Sequence, residues 1–217
     1  EVKFRGRLGP EPTDDRSIML LSRVVEWKEE GIRYEADQRH VDLIVQGLGL
    51  DERSKPAPTP SVATKVADEE PLLVEQAVMY RALVARANYL AQDRVDIAYS
   101  VKELCKQMAR PRVHDWHQLK RLGRYLLGAI RVGMKFAYQA CPEEAAVWTD
   151  TDHAGCLATR KSTSGGAAML GQHCIKTWSV NQAYIALSSG EAEYYGAVRG
   201  ASQGLGIVAM LADLGVK

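Results

Sequence analysis

Three prolines at alternate positions in Lys55-Pro56-Ala57-Pro58-Thr59-Pro60 set the first limit on how this chain can fold. Proline lacks a backbone N–H and biases the residue before it towards extended geometry, so the run can be neither helix nor central strand. With the acidic Asp68-Glu69-Glu70-Pro71 it predicts a break between two organised regions. The expected divisions are residues 1–60, a linker at 61–76, a helical region at 77–141 and a mixed strand and helix region at 142–217.

Before the break, residues 1–17 are rich in glycine, proline and charge and read as an irregular entry. Ile18 to Trp27 is β-branched and aromatic, Glu29-Glu30-Gly31 can turn, and Ile32-Arg33-Tyr34 can return, which predicts a β-hairpin. Val41, Ile44, Val45 and Leu48 then share one helical face, with Asp37 as N-cap. After the break, helices are expected at 75–92, 96–109 and 114–130, with Pro111 stopping the second.

Charge is unevenly placed. A net charge of +1 hides a middle segment, residues 77–141, with 12 basic and 4 acidic groups (+8) between two segments of negative sign. Lys106, Arg110, Arg112, Lys120, Arg121, Arg124 and Arg131 are the candidate nucleic-acid-binding residues, interleaved with Tyr89, Tyr99, Trp116 and Tyr125. Cations on successive helices neutralise phosphates without reading sequence. A solvated helix face is the plain alternative.

No run of 18 apolar residues exists, so no membrane partner is expected, and the N-terminus shows no signal-peptide core. A chain that begins Glu1-Val2-Lys3 reads as a piece of a longer protein in a non-secreted compartment. Cys105, Cys141, Cys156 and Cys174 lack paired spacing, so neither a zinc site nor a disulfide framework is expected.

From Ala145 the period changes. Strands are expected at 145–150, 163–170 and 173–180, with Gly171-Gln172 as a two-residue turn. Ser188-x-x-Glu191 has capping-box spacing, and the helix it opens can run to Leu214 despite glycines at 196, 200, 204 and 206. Asp150 and Asp152 alternate at the end of the first strand, and Glu193 lies in the first turn of a helix that must pack on the sheet. Convergence of Asp150 with Glu193 is therefore expected, with Asp152 as a further donor. Carboxylates that close repel one another unless a hard divalent cation joins them, and magnesium or manganese is the natural occupant. The alternatives are a solvated strand end for the aspartates and helix-dipole stabilisation for Glu191 and Glu193.

Trp148-Thr149-Asp150-Thr151-Asp152-His153-Ala154-Gly155, Arg160-Lys161-Ser162-Thr163-Ser164-Gly165, Trp178-Ser179 and Ala186 to Tyr194 together resemble the ribonuclease H domain of copia-type LTR retrotransposon Pol polyproteins. Upstream, Tyr80 to Val84, Tyr89-Leu90, Arg94 to Ala98 and Lys120 to Leu126 are similar to the thumb and connection region of the same family's reverse transcriptase. Residues 32–60 resemble the segment after its polymerase palm.

The resemblance implies a mixed α/β (α+β) fold: a helical thumb and connection region followed by a truncated ribonuclease H-like βββα unit. It implies two-metal hydrolysis of the RNA strand in RNA–DNA hybrids. Asp150 and Glu193 match two of the family's catalytic metal ligands. The partners implied are an RNA–DNA hybrid and the remainder of the Pol polyprotein, in the cytoplasm (a virus-like particle) or the nucleus. Two departures bear on activity. The polymerase motif Tyr-x-Asp-Asp is absent, and the third metal aspartate is expected on a strand after the helix, past Lys217; Asp213, about 30 Å along the helix from Glu193, cannot substitute for it. A non-catalytic nucleic-acid-binding connection module, or a decayed element, is the alternative.

Overall fold

The computed structural model describes residues 6–62, 70–156 and 159–216. Residues 63–69 of the expected linker therefore lie outside the described residues. The chain divides into two compact units, Glu1–Phe136 and Ala137–Lys217.

In the first unit, β1 (Ser17–Leu20), β2 (Arg23–Lys28) and β3 (Gly31–Glu35) form an antiparallel meander, and β4 (Gly133–Ala137) joins beside β3. The expected hairpin is thus two hairpins. The stretch from Ile18 to Trp27 folds back on itself at Leu21 and Ser22, which take φ values of +49° and +66°. Left-handed backbone at two successive positions is what a tight two-residue turn needs, usually met by glycine or asparagine. Here neither residue announces the turn, so the sequence reads as one strand. β4 also falls inside the segment read as helical; at five residues it is too short for its alternation to stand out.

Helix α1 (Gln38–Gly47) follows, with Asp37 as N-cap accepting from the Arg39 N–H. Helices α2 (Val74–Leu90) and α4 (Val113–Gly128) stand within a residue or two of their expected positions. Helix α3 (Ala98–Lys106), entered through a short 3-10 turn, ends three residues before the expected stop. The core is the shared apolar face of all four: Val41 and Ile44 from α1, Tyr80, Val84 and Leu90 from α2, Val101 and Leu104 from α3, and Leu119, Leu122 and Leu126 from α4. The buried Tyr80 hydroxyl donates to Leu104 O at 2.8 Å, so no polar atom of that ring is stranded. The proline run lies along α4, with Ala57 buried and its N–H donating to Arg124 O.

Two buried carboxylates are held by arginines here. Glu35 accepts both forks of Arg131, at 2.8 and 2.9 Å, and Asp37 accepts from Arg39. The Arg131 guanidinium holds the Glu35 carboxyl below its ordinary value, and Arg39 does the same for Asp37.

The second unit is an antiparallel sheet, β5 (Ala145–Thr151), β6 (Thr163–Leu170) and β7 (His173–Asn181), in the order β5-β6-β7, followed by α5 (Ser189–Asp213). Gly171 takes φ +58° at the first position of the β6–β7 turn, as the sequence anticipates. The 25 residues of α5 hold four glycines that weaken it as an isolated helix, setting aside Gly190 at its start, and the sheet supplies the reason for three of them. A Cβ on Gly196 would collide with Thr151 Oγ1, one on Gly200 with Thr149 Cγ2, and one on Gly204 would stand 3.1 Å from Val147 Cγ2. The glycines form a flat ridge on which β5 rests.

In urea unfolding, Gly200→Ala should lower stability by about 1–3 kcal/mol through overpacking, whereas Gly206→Ala, facing open space, should raise it by roughly 0.5–1 kcal/mol. Glu35 and Asp37 bind a proton less readily folded than unfolded, so their contribution is complete above the ordinary carboxylate range and lost as pH falls from that range through their lowered folded-state values. Removing the guanidinium with Arg131→Met should move the acid-unfolding midpoint to higher pH, measured by circular dichroism.

Candidate functional site

The Ser188 hydroxyl accepts from the Glu191 N–H at 3.1 Å and caps α5, as the spacing predicts. Glu191 does not stand free: one oxygen accepts from the Leu187 N–H at 2.7 Å and the other from the Tyr195 hydroxyl at 3.0 Å. That bond to Glu191 raises the Tyr195 phenol pKa. Glu191 therefore shapes the helix entry. Glu193, two residues on, is exposed.

Behind this first turn lies a buried polar network that no spacing in the sequence singles out. The Gln182 amide donates to Ser164 Oγ at 3.0 Å and to Ala192 O at 2.8 Å, joining the end of β7 to β6 and α5. Ser162 Oγ accepts from the Ala154 N–H at 3.0 Å, holding the loop after β5. Thr151 Oγ1 is buried against α5 with no hydrogen-bond partner among the described residues. A serine and a glutamine beside apolar strands are the only signal that could have found this network, and it becomes informative once the register is known.

The carboxylates divide between roles. Asp152 leaves the strand and its Oδ1 accepts from the Thr163 N–H at 2.5 Å, with Gly155 packed so close that a Cβ there would meet the carboxylate. Asp152 thus closes the loop. Asp150 remains in β5, opposite Gly165, and is exposed. Because Val147, Thr149 and Thr151 meet the glycine ridge of α5, strand alternation turns Trp148 and Asp150 to the other face of the sheet. Asp150 thus leaves β5 on the face away from α5, and Glu193 stands exposed near the start of α5. Among the described residues no group of three histidine, cysteine, aspartate or glutamate side chains is arranged to hold a metal ion.

The seven basic residues singled out by the charge pattern also separate. Lys106 pairs with Glu103 at 2.8 Å, Arg131 with Glu35, and Arg112 caps α4, its N–H donating to Asp115 at 2.8 Å. Arg110 and Lys120 are exposed. Arg121 and Arg124 donate to the proline run, to Thr59 Oγ1 at 2.8 Å and Lys55 O at 2.6 Å.

Comparison with curated proteins then decides the family. The chain is 32% identical over 189 residues to a retrovirus-related Pol polyprotein from transposon RE2 of Arabidopsis thaliana, a match that covers 87% of this chain and 13% of that protein. It is 34% identical over 138 residues to the corresponding polyprotein from transposon RE1 of the same plant, covering 64% of this chain and 9% of that one. The chain belongs to the Pol polyprotein family of copia-type transposons. This Pol chain is also 35% identical over 115 residues to an uncharacterized mitochondrial protein of Arabidopsis thaliana, AtMg00810, covering 53% of the chain and 48% of that protein. It spans less than half the length of each of these relatives. No family model matches, and no solved structure matches.

Proposed function

We propose that this Pol chain comprises the connection part of a reverse transcriptase and the βββα part of a ribonuclease H-like domain, and that its own chemistry is to grip an RNA–DNA hybrid rather than to cut it. Two-metal hydrolysis of hybrid RNA is the activity of the whole family domain, to which the chain contributes Asp150 and Glu193. The observation that supports the binding reading is the pair Arg121 and Arg124, which donate to neutral oxygens of the proline run and meet no carboxylate among the described residues. The segment's net charge of +8, of which Lys106, Arg94 and Arg131 are matched by carboxylates and these two arginines are not, suits a polyanion. The mixed fold and the Pol relatives fit this assignment. Among the described residues no helix is long and apolar enough to cross a membrane.

The experiment is a pair of assays on one preparation. Fluorescence anisotropy should show hybrid binding that weakens steeply with salt and is unchanged in Asp150→Asn. Incubation of the same hybrid with magnesium should leave its RNA strand intact. Magnesium-dependent cleavage that disappears in Asp150→Asn or Glu193→Gln would replace the binding reading with the catalytic one, and no hybrid affinity at low salt would sink it.

A further inference from the structure

We infer that Arg121 and Arg124, oriented on α4 by the proline run, form a phosphate-binding site for the backbone of the nucleic-acid partner. The site rests on the hybrid-binding reading above and assigns that binding to one place.

The proline run is fastened to one face of α4 at three levels. Arg124 Nε donates to Lys55 O at 2.6 Å, the Ala57 N–H donates to Arg124 O at 3.2 Å, and Arg121 Nη2 donates to Thr59 Oγ1 at 2.8 Å. Pro56 lies over Gly128, where a Cβ would stand 2.8 Å away. A segment with alternate prolines is stiff, so both guanidinium groups are held by a rigid backbone.

Their charge sets them apart. Elsewhere in the same unit Arg23 pairs with Asp93, Arg33 with Glu26 and Glu35, Arg39 with Asp37, Arg94 with Asp96 and Arg131 with Glu35. Among the described residues no carboxylate pairs with Arg121 or Arg124, and the partners they do have are neutral oxygens. Arg121 Nε is in addition buried with no acceptor among the described residues. A guanidinium partly withdrawn from water with no counter-charge is unfavourable, and an arriving anion relieves it.

The chemistry of the anion follows from the fork. Each guanidinium carries five N–H donors and gives one to the proline run, so terminal N–H groups remain for a tetrahedral, multiply charged oxygen acceptor. Residues three apart on a helix are neighbours on its surface, and the exposed Lys120 adjoins them. A row of such donors with fixed orientation fits successive phosphates of a strand and reads no base. Because the forks are already held, binding costs less side-chain freedom.

Binding of a short fluorescein-labelled RNA–DNA hybrid, measured by anisotropy over a salt series, tests the site. Removing one arginine–phosphate pair should reduce the slope of log affinity against log salt by about 0.9. Arg121→Gln and Arg124→Gln should each show that reduction, Arg124→Lys should keep the slope of the unaltered chain, and Lys28→Gln, a cation outside the site, should also keep it. Thermal unfolding followed by circular dichroism checks each variant. Should Arg124→Gln fail to fold, Arg121→Gln, whose bond to the run is with one side-chain hydroxyl, carries the test alone. Hybrid binding with an unchanged slope in Arg121→Gln overturns the site while the hybrid-binding reading stands. Absence of any hybrid binding by the unaltered chain overturns both.

Discussion

The close approach of α5 to β5 is the contact on which the C-terminal unit depends. Three glycines one turn apart remove the Cβ atoms that would keep helix and strand separate, and Thr149, Thr151 and Val147 fill the space they leave. One choice of face then fixes every other residue of the strand, because side chains alternate with period two. Asp150 faces the open side as a direct consequence. The same contact brings Ala192 and Gln182 together at the start of α5, where the buried amide holds the helix to the sheet. Helix propensity argues against glycine at these positions, and sheet packing overrules it.

Charge compensation organises the N-terminal unit in a comparable way. Several of its arginines face buried or half-buried carboxylates that join distant parts of the chain, as Glu35 does through Arg131 and Asp93 through Arg23 and the Tyr34 hydroxyl. Burial together with the Asp93 carboxylate pushes the Tyr34 phenol up to about 12, so it stays neutral and keeps donating over the ordinary pH range. The basic surplus of the middle segment is therefore smaller, locally, than a residue count implies. Lys106 and Arg131, which stand among the cations in the sequence, are neutralised by Glu103 and Glu35 in space. Arg121 and Arg124 are held by neutral oxygens of the proline run and keep their charge uncompensated among the described residues.

What the sequence determined by itself is the set of strong local signals. The four helices of the core, the cap at Asp37, the glycine turn at Gly171 and the cap at Ser188 were all legible, because apolar spacing and capping chemistry act within a few residues. The family was legible too, since its motifs are runs of adjacent residues. Tertiary structure alone decided the rest. A turn at Leu21 and Ser22 needs a backbone conformation that neither residue favours, so the pairing of β1 with β2 imposes it. The role of the proline run as a part of the α4 surface depends on contacts between residues some 60 to 70 positions apart in the chain. The face on which Asp150 leaves the sheet depends on which side of β5 meets the helix, and a sequence with period two contains both faces without saying which is inward. Local pattern reaches one or two turns; faces, partners and counter-charges are settled by packing between elements.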